Sequence, residues 1–473
     1  MSLKFGTSGL RGLSRELSGP PAARYALAFA RHLLDKGLVR QGDVILIGRD
    51  FRESSPEIAA LCAGALLQAG FHVADGGALP TPALAHFALQ RGMAFLMVTG
   101  SHIPADRNGI KFYRPDGEID KTDEIAIAAH ADKLRDAASS AKGSGDDRMH
   151  EVSAAFSVRN CALLPRNSLQ TLRVGVYQHS SVARDLFCEV IASYGAEIVP
   201  LGRSETFIPV DTEAVSLETI ALLKNWSAEH RLDAIVSADG DGDRPLIADE
   251  NGMTLRGDLV GMIASMFLGA DKVVTPVTSN SGLEKALGCE IARTQVGSPF
   301  VIAAMTEALK AGSKAVVGFE ANGGCLTGSD LTVNKQVFKA LPTRDSFLPV
   351  LAALHLAAST KRPLSELAAS YALPFALSGR LEDFPVETSA RLMAHLRGTS
   401  QNLSAFLRPV GAVKSISDID GLRVTLADAR IVHLRPSGNA PEMRCYVEAP
   451  SEADAIELLA QGLRLIQGWA SKH

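Results

Sequence analysis

Residues 44–48 (VILIG), 57–69 (EIAALCAGALLQA) and 71–74 (FHVA) decide the fold. The first is a short apolar run, which reads as a buried strand. The second is long enough for a helix, and the third reads as another strand. Strand, helix and strand in that order predict a βαβ unit and a mostly parallel sheet. The pattern returns at 172–177 (LRVGVY), 182–194 and 196–200, and more weakly at 272–277, 281–287 and 290–292. Copies this far apart predict separate similar domains, since solenoid repeats recur every ~20–50 residues.

Near residue 370 the character changes. Residues 421–426 (GLRVTL) and 430–434 (RIVHL) read as strands around a turn at Ala427 and Asp428. Residues 443–448 read as a further strand and 452–469 as an amphipathic helix, together an α+β module. The expected class is α/β: three similar βαβ-containing mixed-sheet domains plus a C-terminal α+β domain around a central cleft. The expected boundaries are 1–145, 146–254, 255–368 and 369–473. The small, polar stretch 137–147 (AASSAKGSGDD) reads as the first linker.

The chain has 473 residues, 46% hydrophobic and 21% charged, with a formal net charge of -4. That balance argues against a nucleic-acid partner, whose binding domain is normally basic. No apolar run reaches the ~18–20 residues of a membrane helix, and MSLKFGTSG has no signal core. The six cysteines form no CxxC pair and read as small buried hydrophobes. A cytoplasmic protein without membrane partners is expected, with monomer and dimer both open.

Four apolar strands run into polar, glycine-containing loops: 99–102 (TGSH), 239–244 (DGDGDR), 319–324 (FEANGG) and 435–441 (RPSGNAP). In open α/β sheets, ligands collect beyond the carboxyl ends of strands. Asp239, Asp241 and Asp243 offer hard oxygen ligands at alternate positions, which suits a divalent cation, Mg²⁺ ahead of Ca²⁺ beside phosphate chemistry. An EF-hand fails on Arg244, which stands where that loop needs glycine, and on the preceding strand. A solvated acidic turn would leave three like charges in mutual repulsion.

Ser101 reads either as a turn cap or as a nucleophile. His102, Arg107, Asn108 and Lys111 close by favour the second, with Lys111 a candidate base. Arg435, Ser437, Gly438 and Asn439 suit an anion clamp or an ordinary turn. Arg11, in a glycine-rich start, suits a phosphate neighbour. Gly297-Ser298 suits a sugar contact or a simple turn. A GxSxG elbow, a P-loop and a dinucleotide fingerprint are all missing.

FGTSGLRG, TGSHIPADRNGIK, DGDGDR, GFEANGG and RPSGNAPEMR, in this order along nearly the whole chain, resemble the motifs of the α-D-phosphohexomutases. The resemblance implies four domains around a cleft and a phosphoryl group carried by Ser101. It implies one Mg²⁺ per chain on Asp239, Asp241, Asp243 and a phosphoserine oxygen. It places Arg11, His102 and Arg244 beside the phosphate and makes Lys111 the general acid/base. Glu320 and Asn322 would meet the sugar. Arg435, Ser437, Gly438, Asn439 and Arg444 would hold the distal phosphate.

The implied reaction interconverts hexose 1-phosphate and hexose 6-phosphate, with hexose 1,6-bisphosphate as intermediate and activator and a hinged C-terminal domain. Asn322 stands where the family often has serine, and SGNAP where SGTEP is frequent, which bears on the sugar. GFEANGG looks more like bacterial phosphomannomutases. Phosphoglucomutase and phosphoglucosamine mutase are the alternatives, followed by a sugar-phosphate-binding regulator and a metal-dependent phosphatase.

Overall fold

The computed structural model describes residues 3–6, 9–134, 141–437 and 441–472. Its strands form four main sheets and a small two-stranded ribbon. The first sheet runs Lys4–Phe5, Leu10–Leu13, Arg107–Arg114, Ala94–Val98, Val44–Arg49, His72–Gly77 and Asp146–Asp147 from edge to edge. Val44–Arg49 lies parallel to both its neighbours, whereas Arg107–Arg114 returns antiparallel to Ala94–Val98. Ile45, Leu46 and Ile47 are all buried because helices cover both faces of the sheet.

The second and third sheets repeat this plan. Arg173–His179 is parallel to Glu197–Arg203 and Ala234–Ala238, and Pro245–Ala248 returns antiparallel. Lys272–Pro276 is parallel to Glu290–Thr294 and Val316–Phe319, and Cys325–Thr327 returns antiparallel. The fourth sheet, in the order Phe375–Leu381, Met443–Ala449, Ile431–Pro436, Leu422–Leu426 and Val413–Ser417, is wholly antiparallel. The three βαβ units and the C-terminal module therefore form as the hydrophobic pattern predicts.

The linker reading is corrected in part. Residues 137–140 lie outside the described residues, but 141–147 run along the first domain instead of leaving it. Gly143 N donates to Ala60 O at 2.8 Å, and Asp146–Asp147 pairs parallel with the His72–Gly77 strand. Gly64 makes this packing possible: a Cβ there would lie 1.9 Å from Ala141 O. A polar, small-residue stretch thus hugs the helix Ser55–Gln68 because glycine lets the two backbones meet.

One apolar core runs continuously through the first three sheets. Phe347, from the third unit, stacks on Phe187 of the second at 4.1 Å and meets Phe156 edge-on at 5.0 Å. The C-terminal unit has a core of its own. Its seam with the third unit is polar. Glu448 accepts from Ser281 N at 3.0 Å and from the Ser281 hydroxyl, Arg256 Nη1 donates to Ala376 O at 2.7 Å, and Asn280 Nδ2 donates to Pro374 O at 2.7 Å. A cavity of about 150 Å³ opens beside this seam, lined by residues that include Glu213, Arg256, Thr278, His433 and Tyr446.

Truncating Phe347 removes the aromatic bridge between units. Phe347→Ala is expected to cost about 3–5 kcal/mol, read as a lower urea-unfolding midpoint. A midpoint equal to that of the parent would refute the bridge.

Candidate active site

Each of the four polar loops is the hairpin connection at the carboxyl end of a strand. The closing pairs are Val98 with Ile110, Ala238 with Pro245, Phe319 with Cys325 and Pro436 with Met443. Strand pairing on both sides holds each loop at a sheet end, and packing of the first three units brings their loops together.

Ser101 is buried, with a left-handed backbone (φ 54°). Its amide donates to Thr99 Oγ1 at 2.7 Å. Its hydroxyl donates to Asp239 Oδ2, a residue of the second unit. His102 Nδ1 accepts from Arg244 Nη1 at 2.8 Å. Burial and then Arg244 push the His102 imidazole down to about 4, so it is neutral and free to accept that bond. Arg11 Nη1 reaches Thr99 O at 2.8 Å, which ties the start of the chain to the same loop.

Asp239, Asp241 and Asp243 are fully buried. Asp239 Oδ1 accepts from the amides of Asp243 and Arg244 at 3.1 and 3.2 Å, so the loop folds around its own first carboxylate. Asp241 Oδ2 accepts from Thr81 Oγ1 of the first unit at 2.5 Å. Lys111 Nζ donates to Asp241 Oδ2 and Asp243 Oδ2, both at 2.5 Å. Burial and then Asp241 and Asp243 push the Asp239 carboxyl up to about 8. Burial alone would raise Asp243 as well, but Arg344, Lys111 and Arg244 outweigh it and hold that group well below the usual carboxylate range.

This donor set fits a small hard cation. One oxygen from each aspartate lies within 4.8 Å of the others. Asp241 Oδ1 and Asp243 Oδ1 are buried and receive no hydrogen bond. Orphaned buried carboxylate oxygens are costly unless a cation meets them.

Arg344 is a site residue that no sequence motif exposes. It is fully buried at the end of the strand Leu341–Asp345. Its Nη2 lies 2.9 Å from Asp243 Oδ2 and its Nη1 2.9 Å from Glu320 Oε2. It therefore joins the aspartate loop to the FEANGG loop. The only sequence signal is an arginine at the carboxyl end of a strand.

The remaining candidates divide. Asn322 is buried, and its side-chain carbonyl accepts from Gly324 N at 3.0 Å, which shapes its own loop. Ser298 donates to Glu118 of the first unit at 2.7 Å, which gives the Gly297-Ser298 turn a joint between domains. Arg435 pairs with Asp420 at 2.9 Å and Arg444 with Glu442 at 3.2 Å, both within the C-terminal unit. Asp420 also accepts from Val296 N at 3.0 Å, across the seam. Ser437 N donates to Glu442 O at 2.9 Å, closing the hairpin from inside. Gly438 and Asn439 lie outside the described residues.

Four family models match this chain. They are phosphoglucomutase/phosphomannomutase alpha/beta/alpha domain I over residues 2–138, domain II over 155–252, domain III over 256–373 and the C-terminal domain over 384–465. A Sinorhizobium fredii protein named phosphomannomutase is 53% identical over 469 residues, covering 98% of this chain and 99% of its own length. A Salmonella muenchen protein of the same name is 43% identical over 464 residues, covering 97% and 94%. A solved structure from Thermus thermophilus superposes with a TM-score of 0.77 at 23% identity, covering 99% of this chain and 100% of that one.

If the three aspartates share one cation, Asp241→Asn is expected to weaken Mg²⁺ binding at least ~100-fold, beyond the 10–100-fold of an outer-shell change. Calorimetric titration reads this directly. Parent-like affinity in the variant would remove Asp241 from the site.

Proposed function

The chain belongs to the phosphoglucomutase/phosphomannomutase family and is a phosphohexomutase, and on that premise we propose that it interconverts mannose 1-phosphate and mannose 6-phosphate. The observation that carries the chemistry is the Ser101 hydroxyl bonded to Asp239 inside a buried cluster built from three domains. The two relatives named phosphomannomutase support the sugar.

In the resting enzyme Ser101 Oγ carries the phosphoryl group. Asp239, Asp241, Asp243 and a phosphoserine oxygen would hold one Mg²⁺, whose chemistry is to neutralise charge on the phosphoryl group as it moves. Arg11 and Arg244 add positive charge at the same place, and His102 keeps Arg244 aimed. The ammonium of Lys111, bonded to Asp241 and Asp243 in this structure, is the proton-moving group. Once released from those carboxylates and with one proton given up to solvent, its neutral amine takes the proton of the attacking sugar hydroxyl.

The balance is simple. The P–Oγ bond breaks, a bond from phosphorus to the sugar oxygen forms, Ser101 Oγ takes up a proton, and hexose 1,6-bisphosphate results. After the intermediate turns end for end, the other phosphoryl group returns to Ser101 and the proton returns to the sugar. Glu320 and Asn322 meet sugar hydroxyls. Arg435, Ser437, Gly438, Asn439 and Arg444 hold whichever phosphate is not reacting, which requires a clamp indifferent to the sugar's orientation. Such transfer is mostly positioning and charge stabilisation, which matches a site of fixed charges.

The test is a mutase assay with Mg²⁺ and a trace of hexose 1,6-bisphosphate. Mannose, glucose and glucosamine 1-phosphates are compared, with Ser101→Ala as control. Mannose 1-phosphate is expected to turn over fastest, and the control to lose at least ~10³-fold in kcat, since the phosphoryl carrier is gone. Faster turnover of another sugar would overturn the mannose assignment and keep the mechanism. An active control would overturn the role of Ser101.

A further inference from the structure

The segment 50–55 (DFRESS) supplies no group to the cluster around Asp239, yet two of its side chains hold the loop that carries Ser101. Arg52 is buried beneath that loop. Its Nη2 donates to Ser101 O at 2.9 Å and to Ile103 O at 2.6 Å. Its Nη1 donates to Pro104 O at 2.7 Å and to Arg107 O at 2.9 Å. Its Nε donates to Asp50 Oδ2 at 3.2 Å. A guanidinium has five N–H donors in one plane, and all five are engaged.

Asp50 completes the clamp from the other side. It accepts from Thr99 Oγ1 at 2.7 Å and from Gly100 N at 3.3 Å, and Thr99 Oγ1 in turn accepts from Ser101 N. Both backbone polar groups of Ser101 are thus tied, directly or through Thr99, to one buried ion pair. This accounts for the left-handed backbone of Ser101, which a non-glycine residue adopts only when its surroundings over-determine it. It also accounts for Gly100, where a Cβ would lie 2.6 Å from Arg52 Cζ. From the second unit, the Phe207 ring covers the guanidinium at 3.9 Å.

The geometry points to Arg52 as a positioning residue. It sets the aim of Ser101 Oγ, so that the phosphoryl group passes to the sugar hydroxyl and not to water. The inference rests on the proposed role of Ser101 as phosphoryl carrier. Released from the clamp, the loop leaves phosphoserine open to hydrolysis. Water then attacks phosphorus, the P–Oγ bond breaks, one water proton ends on Ser101 Oγ, and inorganic phosphate leaves. Lysine cannot replace this arginine, because a three-donor ammonium cannot bridge four carbonyls spread over seven residues.

The experiment uses full-length, Mg²⁺-loaded protein whose Ser101 phosphate is counted by intact mass. Isomerisation of mannose 1-phosphate and release of inorganic phosphate are followed in the same reaction. Their ratio is independent of how much protein is active, so simple destabilisation does not move it. For Arg52→Lys, kcat per phosphorylated chain is expected to fall ~100-fold, the cost of a small misplacement at the reacting atom. KM should stay within about 3-fold. Phosphate release relative to isomerisation should rise at least ~10-fold, as water enters.

An unchanged ratio with parent-like kcat would overturn the inference. If Arg52→Lys fails to fold by circular dichroism, Phe207→Leu, which removes only the aromatic cover, is read in its place. A smaller shift in the same direction supports the clamp, and an unchanged ratio overturns it. A parent protein that carries no phosphate on Ser101 and isomerises nothing would overturn the proposed function first, and this inference with it.

Discussion

Three carboxylates from one loop lie in the middle of the molecule without access to water, and most of the architecture follows from that. Buried charges are tolerated only when paired and fully hydrogen-bonded. The second unit answers part of the demand with its own loop amides. The rest comes from elsewhere: Thr81 and Lys111 from the first unit and Arg344 from the third. The aspartate loop is thus incomplete in any one domain. The continuous apolar core through the first three sheets, with Phe347 wedged between units, is what holds those counter-charges in place.

Repetition explains how such a site could be built. In each α/β unit the last parallel strand turns through a short polar loop into an antiparallel strand, and that loop carries the unit's candidate site residues. In the C-terminal sheet, Ile431–Pro436 and Met443–Ala449 pair antiparallel on either side of the fourth motif. Four similar solutions to closing a sheet edge leave four sets of polar groups at sheet ends. Their specialisation then depends on a few side chains.

Much of this was legible in the sequence for a physical reason. Strand-helix-strand periodicity and glycine-rich, polar loops are local signals, so the three α/β units and the loops around Ser101, Asp239 and Glu320 can be read residue by residue. The strands Phe375–Leu381 and Val413–Ser417 escape, because they are half-exposed and carry no continuous apolar run. Arg52 and Arg344 escape because the groups that give them meaning come from distant parts of the chain; Arg344 lies 101 residues from Asp243. The described part of the linker-like segment, 141–147, misleads for the opposite reason. Its composition is that of a linker, and only the glycines on both sides of the contact show that it packs. Asn322 has the chemistry of a ligand group, but half of its amide is already committed to its own turn.

The seam between the third and C-terminal units differs in kind from the other joints. Glu448 with Ser281, Arg256 with Ala376, Asn280 with Pro374 and Asp420 with Val296 are hydrogen bonds beside a cavity, and the buried apolar clusters on its two sides are separate. Exposing apolar surface raises heat capacity, and exposing polar surface lowers it. Parting a seam held by such bonds therefore changes the heat capacity far less than unfolding either core. A balance between docked and undocked C-terminal domain would vary more nearly linearly with temperature than the dome-shaped curve that governs unfolding of the cores on either side.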